Sequence, residues 1–160
     1  MLDTATKIQS RQAAAAQVSQ WQAEGQKVVF TNGCFDIVHL GHIDYLEKAR
    51  ALGHKLVLGL NTDASVSRLK GPTRPVVNEY ARARMMAAFA FVDAVILFDE
   101  PTPLALIQTI CPDILVKGDD YSLQNIVGAD FVLANGGAVE TISLVQGYST
   151  TALIEKIKQL

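Results

Sequence analysis

The sequence predicts one α/β domain, in which helices flank a mainly parallel sheet of five strands. Three observations support this fold class. Short apolar runs of strand length alternate with amphipathic segments of helical length along the whole chain. A length of 160 residues suits one domain, and a hydrophobic content of 49% is enough to build a core without disulfide or metal cross-links. No internal repeat and no linker rich in Ser or Gly divides the chain.

Four predicted strands are short, mainly apolar runs, which lie at residues 28–30, 55–60, 94–98 and 114–116, and a last strand is predicted at residues 139–143. The predicted helices lie at about residues 4–24, 40–52, 63–69 and 78–90, from residue 103 onward, and at 150–160. Local signals mark their ends, since Gly25 and Gly53 stop two helices and Pro103 suits the first turn of another. Such an order is Rossmann-like, and ligands of these sheets bind at the carboxyl ends of the strands. The segments at those ends are residues 31–42, 61–77, 117–122 and 146–151.

The N-terminal segment is predicted to be a helical extension, residues 1–25, ahead of the functional domain at residues 26–160. It has no long apolar stretch, so we expect neither a signal peptide nor a membrane anchor. No apolar run elsewhere reaches the length that spans a bilayer. The two cysteines, Cys34 and Cys111, form no CxxC pair. These observations favour a cytoplasmic protein in a reducing compartment.

The charge balance argues against some classes of partner. Charged residues make up 19% of the chain and the formal net charge is -2, so no basic excess points to a nucleic-acid polymer or an anionic membrane. An anionic small ligand would be held locally, by a few placed cations and backbone N–H groups. The cysteines and histidines lack the spacing of a metal site, so no protein-bound metal is predicted.

The strongest functional signal lies in residues 31–42, TNGCFDIVHLGH. This segment links a buried strand to a helix, and the start of such a helix binds phosphate through unpaired N–H groups and the positive end of the helix dipole. Glycines allow a phosphate to approach the backbone and leave space between two imidazoles, which lie on one face of the helix and can donate to phosphate oxygens. The predicted catalytic residues are His39 and His42, and the predicted contacts with the phosphorylated ligand are Thr31, Asn32, Gly33, Cys34, Phe35 and Gly41.

Other interpretations of this segment are weaker. One histidine at a polar helix start usually has no function, but here two of the three histidines in the chain flank a single glycine. A zinc site lacks further ligands. A dinucleotide site needs G-x-G-x-x-G after the first strand, and neither that motif nor a Walker loop is present. For Asp36, orientation of a histidine or of the loop and a simple Asx turn are both open.

Three more loops carry residues suited to a phosphorylated ligand. Lys70, beside Gly71, is predicted to be catalytic as a charge on the β- or γ-phosphate, although loops of this kind are often only solvated surface. The loop after the fourth strand, residues 117–121, has two interpretations that the sequence supports equally: contact with a base or ribose, and simple capping of a turn. Hydroxyls before the last helix are usually caps, yet three in a row after Gly147 favour a phosphate contact. The predicted contacts from these loops are Lys117, Gly118, Asp120, Tyr121, Ser149, Thr150 and Thr151.

The residues from Gly33 to His42 resemble the G-x-F-D-x-x-H-x-G-H signature of the cytidylyltransferase-like nucleotidyltransferases. The resemblance implies the H-x-G-H nucleotidyltransferase fold, with both histidines on the triphosphate of a nucleotide. The last loop resembles the S-T-T helix start of these enzymes but lacks the arginine that some members carry just before it. Gln146 occupies that neighbourhood, so Arg74 or Lys117 would have to supply the charge.

Longer stretches, from about Gln26 to the C-terminus, resemble the bacterial heptose 1-phosphate adenylyltransferases. They are FTNGCFDIVHLGHIDYLEKARALG, SVSRLKGPTRPVVNEYARARMMAA, VDAVILFDEPTPLALI, and PDILVKGDDY with IVGADFV. This resemblance implies transfer of AMP from ATP to D-glycero-β-D-manno-heptose 1-phosphate, which gives ADP-heptose and pyrophosphate for lipopolysaccharide core synthesis. One departure is Asp119, where the family commonly has glycine in L-V-K-G-G-D-Y.

The same resemblance implies partners and cofactors. Mg²⁺ is expected to enter with ATP, without a carboxylate cage from the protein, and the chain is expected to form a homodimer. In many bacteria this domain is fused to a sugar kinase. Because the chain contains no kinase domain, a separate kinase is expected to supply the sugar 1-phosphate. Three alternatives stay open: the same chemistry with CTP and glycerol 3-phosphate or a related phosphoalcohol, a non-catalytic nucleotide-binding module, and a structural partner of a sugar kinase.

Overall fold

The structure is a computed structural model, and it describes residues 3–120 and 125–160. Five strands form its sheet: β1 (Val28–Gly33), β2 (Lys55–Asn61), β3 (Ala94–Phe98), β4 (Ile114–Gly118) and β5 (Ala138–Ile142). The α-helices within the described residues are α1 (Arg11–Ala23), α2 (Leu40–Ala51), α3 (Asp63–Lys70), α4 (Glu79–Ala88), α5 (Leu104–Ile110), α6 (Ala129–Ala134) and α7 (Thr150–Lys158). The predicted fold class, a five-stranded parallel sheet flanked by helices, is confirmed.

The sheet has the strand order β3-β2-β1-β4-β5, and every described pair of neighbouring strands is parallel. The direction of winding reverses beside β1, because β2 and β3 lie on one side of it and β4 and β5 on the other. Sheets of this type bind ligands outside the carboxyl ends of their strands, at the point of reversal. Gly33 ends β1 and Gly118 ends β4, so the crevice between these two residues is the expected location of the site.

Two hydrophobic layers, one on each face of the sheet, hold the helices in place. Strands β1 and β2 are apolar and buried on both faces, as expected for parallel strands covered by helices. Ala14 and Val18 of α1 pack with Phe30 in one layer. Leu46 of α2 and Met86 of α4 belong to the other layer. This packing fixes α2 and α4 beside the strands that end at the crevice.

The N-terminal segment does not form the single helix predicted over residues 4–24, and that prediction is wrong. Residues Thr4–Lys7 form a 3-10 turn, and Ile8 then makes an isolated parallel bridge with Val95 of β3. Helix α1 begins only after Ser10, whose hydroxyl caps its first turn. Contact with the edge strand therefore outweighs the helical propensity of the first residues.

Helix α1 shares the core of the domain, because Ala14 and Val18 are buried against the sheet. The domain boundary predicted at residue 25 thus lies between α1 and β1, which share one core. The division of the chain into an extension and a functional domain stays a prediction. Helix α6 was not predicted; it is short and follows Gly128, which has a positive φ of 88°.

No helix in the described part of the chain is long and apolar enough to span a membrane.

Candidate active site

A cavity of about 590 Å³ opens at the carboxyl edge of the sheet. Its walls come from the ends of β1, β2 and β4 and from the starts of α2 and α7. The volume is in the range of pockets that hold small ligands. The sequence-predicted residues that line it are Asn32, Gly33, Cys34, Phe35, His39, Gly41, His42, Lys70, Lys117, Gly118, Asp120, Ser149, Thr150 and Thr151. Their contacts with a ligand stay predictions.

Two predicted contacts do not appear among the lining residues. Thr31 is fully buried, and its Oγ1 lies 2.7 Å from the hydroxyl of Tyr45, so its side chain is used inside the protein. Tyr121 lies outside the described residues. Asp119, the departure from the heptose family, is also not a lining residue. Its carboxylate accepts a hydrogen bond from the Leu144 N–H at 3.4 Å, and its neighbour Asp120 lines the cavity instead.

The two predicted catalytic histidines form a stacked pair at the start of α2. Their ring centroids lie 3.7 Å apart, and the ring planes are inclined by 18°. His39 precedes the helix without capping it through its side chain, and the first N–H groups of a helix have no intrahelical partner. The Nδ1 atoms of His39 and His42 are buried and have no hydrogen-bond partner in the described part of the chain. An anionic ligand at this helix start would satisfy the free N–H groups of the first helical turn.

Burial favours the neutral form of both imidazoles. It lowers the pKa of His39 below the ordinary histidine value. Burial, together with the adjacent His39 ring, lowers the pKa of His42 to about 4. A neutral imidazole still carries one N–H donor. The pair therefore offers hydrogen bonds to a ligand, without requiring two positive charges at stacking distance.

The positions of these rings depend on two glycines. A Cβ at Gly41 would lie 3.1 Å from Nδ1 of His39 and 3.3 Å from Cβ of Tyr148, so a side chain there would require His39 or Tyr148 to shift. A Cβ at Gly33 would lie 2.8 Å from the ring of Phe35. The Phe35 ring centroid in turn lies 5.1 Å from that of His42. Small residues at positions 33 and 41 thus allow the rings to pack around the helix start.

Asp36 connects the histidine segment to the loop between α3 and α4. Its carboxylate is 1% exposed and accepts hydrogen bonds from Nε of Arg74 at 2.6 Å and from the N–H groups of Val76 and Val77 at 2.9 and 2.8 Å. Burial alone would raise the pKa of Asp36, but the two N–H groups and the Arg74 guanidinium outweigh it and hold the pKa below its ordinary value. Of the interpretations left open for Asp36, orientation of a loop is the one that these contacts support.

Sequence reasoning missed Arg82, which lies on α4 and is fully buried. Its guanidinium donates to the backbone carbonyls of Cys34, Asn61 and Val77 at 2.7, 2.8 and 2.9 Å, and it pairs with the carboxylate of Asp63 at 2.8 Å. It thereby joins the loop after β1, the end of β2 and the start of α3. The sequence did contain a signal for Arg82, because it lies on the apolar face of an amphipathic helix. An arginine is buried in such a position only where hydrogen-bond and ion-pair partners surround it.

Two lysines bring positive charge to the cavity. Lys70 ends α3, is exposed, and makes no ion pair within the described residues. Lys117 lies in β4 and donates from Nζ to Oδ1 of Asn32 at 2.5 Å and to the Asn32 backbone carbonyl at 3.3 Å. Burial lowers the pKa of Lys117 to about 8, although Asp120 and Cys34 act in the opposite direction.

The last predicted loop places its hydroxyls at the start of α7. The Ser149 hydroxyl caps this helix by accepting a hydrogen bond from the Ala152 N–H at 3.0 Å. Thr150 donates from Oγ1 to the Ile37 carbonyl at 3.3 Å, which ties α7 to the histidine segment. Capping is therefore an observed role for Ser149, and its O–H remains a donor that can face a ligand.

Comparison with known proteins agrees with this geometry. Residues 30–156 match the sequence profile of a family described as cytidylyltransferase-like. A protein named Bifunctional protein HldE from Magnetococcus marinus is 57% identical over 151 residues, which are 94% of this chain and 31% of the relative. A protein of the same name from Citrifermentans bemidjiense is 54% identical over 155 residues, which are 97% of this chain and 32% of the relative. The chain spans about a third of the length of these curated relatives.

Two solved structures share the fold. The lipopolysaccharide core biosynthesis protein from Thermoplasma volcanium is 30% identical, with a TM-score of 0.61 over 78% of this chain and 100% of that one. Pantoate-beta-alanine ligase from Francisella tularensis is 13% identical, with a TM-score of 0.60 over 96% of this chain and 78% of that one, which shows likeness of fold alone. Since the family profile covers the chain from β1 into α7, including the histidine pair and the lysine at the end of β4, the chain belongs to the cytidylyltransferase-like family.

Proposed function

We propose that the chain transfers AMP from ATP to a sugar 1-phosphate, D-glycero-β-D-manno-heptose 1-phosphate, and releases pyrophosphate. The observation that carries this proposal is the stacked pair of His39 and His42 at the start of α2, in a cavity that Lys70 and Lys117 also line. The choice of sugar is supported by the resemblance of most of the chain to the heptose 1-phosphate adenylyltransferases. It is also supported by a solved relative that is described as a lipopolysaccharide core biosynthesis protein.

The proposed reaction is an in-line displacement at the α-phosphorus of ATP. A phosphate oxygen of the sugar 1-phosphate attacks, a new phosphorus–oxygen bond forms, and the bond to the bridging oxygen of pyrophosphate breaks. The attacking oxygen is already anionic, so no strong general base is required. Positioning of the two substrates and stabilisation of the charge on the leaving group then supply the catalysis.

Each group in the cavity has a task in this reaction. The N–H groups at the start of α2 and the imidazoles of His39 and His42 donate to oxygens of the triphosphate. Lys70, at the exposed end of α3, neutralises the charge that grows on the leaving pyrophosphate. Because the pyrophosphate departs during the reaction, a long side chain at an exposed helix end suits this task.

We also propose that Mg²⁺ enters as part of the substrate, bound to the phosphates of ATP. Within residues 3–120 and 125–160, no group of three or more His, Cys, Asp or Glu side chains could hold a metal ion. In this proposal the metal takes most of its ligands from the nucleotide and from water.

A substrate panel tests the proposed function. We expect pyrophosphate release to be fastest with ATP and heptose 1-phosphate, weaker with CTP, and poor with GTP and UTP. Asp120 lines the cavity, and its carboxylate can accept from the exocyclic amine of adenine or cytosine. Guanine and uracil present an acceptor at that edge, so a site lined by an acceptor should reject them. The measurement is the rate of pyrophosphate release for each nucleotide with heptose 1-phosphates and with glycerol 3-phosphate.

The panel has a matched control and two contrary outcomes. Asp119→Gly restores the residue common in the heptose family at a position outside the cavity lining, and it should keep the preference for ATP. Fastest turnover of CTP with glycerol 3-phosphate would instead identify a cytidylyltransferase. Tight binding of nucleotide without turnover of any acceptor would identify a non-catalytic binding module.

We propose that the chain forms a homodimer, because members of the resembled family commonly pair. Several large apolar side chains are exposed and could be buried in a dimer interface. Among them are Leu69, Val76 and Tyr80, which are 56%, 58% and 67% exposed. Light scattering at micromolar concentration is expected to give twice the mass of one chain, and a single-chain mass would contradict the proposal.

A separate kinase that supplies the sugar 1-phosphate also stays a prediction.

A further inference from the structure

Arg74 and Arg82 are both largely buried, but they differ in how their donors are used. The guanidinium of Arg82 donates to three backbone carbonyls and pairs with Asp63, so each of its nitrogens has a partner. The side chain of Arg74 is 15% exposed, and its guanidinium donates from Nε to Oδ2 of Asp36 at 2.6 Å. Within the described residues, its two terminal NH₂ groups have no hydrogen-bond partner, and both stay accessible. Arg74 therefore keeps donors for a ligand.

The guanidinium of Arg74 belongs to the wall of the candidate active site, because Arg74 lines the same cavity as His39, His42 and Lys70. A guanidinium that has lost most of its water and has one protein partner needs further acceptors, and the cavity has room for them. Two oxygens of a phosphate group match the spacing of the two terminal NH₂ groups and form a bidentate contact with them.

Asp36 fixes the direction in which this guanidinium points. Oδ2 of its carboxylate accepts from Nε of Arg74, while Oδ1 accepts from the N–H groups of Val76 and Val77 at 2.9 and 2.8 Å. The carboxylate is 1% exposed, so these contacts hold it in place. Because a guanidinium is planar, binding of Nε by Asp36 leaves the opposite edge, with both terminal NH₂ groups, to meet a ligand.

The charge of Asp36 does not cancel the positive charge at this wall of the cavity. Cys34 lines the same wall and responds to the charges around it. Burial raises the pKa of the Cys34 thiol, and the charge of Asp36 acts in the same direction. The charges of Lys70, Arg82 and Arg74 all lower that pKa. Among the described residues, cations thus outnumber carboxylates at this point, which suits a ligand with negative charge.

We infer that Arg74 binds a phosphate group in the cavity through both of its terminal NH₂ groups, and that Asp36 is the positioning residue that aims them. This role rests on the proposed function, which brings phosphorylated ligands into the cavity. The chemistry recognised is a phosphate group with two oxygens available to accept. Both substrates carry such a group, in the triphosphate of ATP and in the phosphate of the acceptor, so the test has one arm for each.

The test measures two constants in Arg74→Lys, which keeps the positive charge but not the planar fork. The first constant is the Kd for α,β-methylene-ATP with Mg²⁺, measured by calorimetry without turnover. The second is the KM for the phosphorylated acceptor that the wild-type protein turns over fastest in the substrate panel. We expect at least one constant to rise about 10- to 100-fold, the effect of losing a bidentate, charge-assisted contact. The constant that rises identifies which phosphate Arg74 binds.

Arg50→Lys is the matched control. Arg50 also holds a carboxylate through Nε, because it pairs with Asp93 at 3.1 Å, but it does not line the cavity. Its Nη1 already donates to the Gly53 carbonyl at 2.9 Å. This variant therefore loses the same kind of ion pair without losing a ligand contact, and both constants should stay near their wild-type values.

Asp36→Asn separates the aiming of Arg74 from the anchoring of the loop. An amide oxygen in place of Oδ1 still accepts from Val76 and Val77, whereas an NH₂ group in place of Oδ2 cannot accept from Nε of Arg74. We expect the constant that rises in Arg74→Lys to rise here as well, by a smaller factor. Adding Asp36→Asn to Arg74→Met should cause no further loss, because Asp36 acts on the ligand through Arg74. A merely structural carboxylate would lower the affinity in both backgrounds.

Wild-type values of both constants in Arg74→Lys would overturn the inference, and so would losses that Arg50→Lys reproduces. Thermal melting checks each variant, and if Arg74→Met does not fold, the lysine variant and Asp36→Asn decide the question. A wild-type protein that binds the nucleotide analogue but turns over no acceptor would refute the proposed transfer reaction, and calorimetry alone would then decide the role of Arg74. A wild-type protein that binds no phosphorylated ligand would refute both.

Discussion

Replacing His39 or His42 with alanine is expected to lower kcat by about 10²–10³-fold while the fold stays intact, because each change removes a donor to the charge that develops in the transition state. The two rings stack at 3.7 Å, so loss of either one also frees the other to move. The double variant should therefore be less active than either single variant, but by less than the product of the two effects. Pyrophosphate release measures kcat, and circular dichroism checks the fold.

The chain contains a matched control in its third histidine. His54 lies just before β2, at the amino edge of the sheet, and its Nδ1 accepts a hydrogen bond from the Lys27 N–H at 2.9 Å. His54→Ala should keep near-normal turnover, since this residue does not line the cavity. Turnover near the wild-type rate in a folded variant that lacks both His39 and His42 would remove the central claim of the proposed function.

Replacing Arg82 with methionine is expected to lower the free energy of unfolding by about 3 kcal/mol or more, because a buried charged network that loses one partner leaves the others uncompensated. The lost guanidinium would leave the carbonyls of Cys34 and Asn61 without these hydrogen bonds, and the carboxylate of Asp63 without its ion pair. Urea denaturation measures the change. The loop after β1 should also lose its fixed position, so nucleotide affinity should fall under conditions where the variant is still folded.

Arg84 provides the comparison for Arg82, since it lies on the same helix and is partly exposed. Arg84→Met should change the free energy of unfolding by no more than about 0.5 kcal/mol, as is usual for substitutions away from buried networks. If Arg82→Met unfolds at the same urea concentration as the Arg84 variant, the guanidinium does not stabilise the fold in the way that its contacts suggest.

The fold class could be predicted from the sequence because each strand and most helices are specified by short-range patterns. Apolar runs such as those of β2 and β3 are buried on both faces, and their composition is enough to recognise them. The N-terminal helix was misplaced because Ile8 pairs with Val95, a partner far away in the sequence. Propensity describes only near neighbours, and here a contact with the edge of the sheet decides where the helix starts.

The sequence by itself determined the histidine pair and its position at a helix start. Both features depend on neighbours within one helical turn and on the dipole of the helix that follows. Only the tertiary structure decided which charges remain in the cavity. Arg74 pairs with Asp36, and Arg82 donates to the backbone at the ends of β1 and β2. Lys117 donates to Asn32, which lies 85 positions earlier in the sequence. Lys117 and Asn32 meet because parallel pairing places β4 beside β1, and such pairing depends on the burial of whole faces rather than on any local motif.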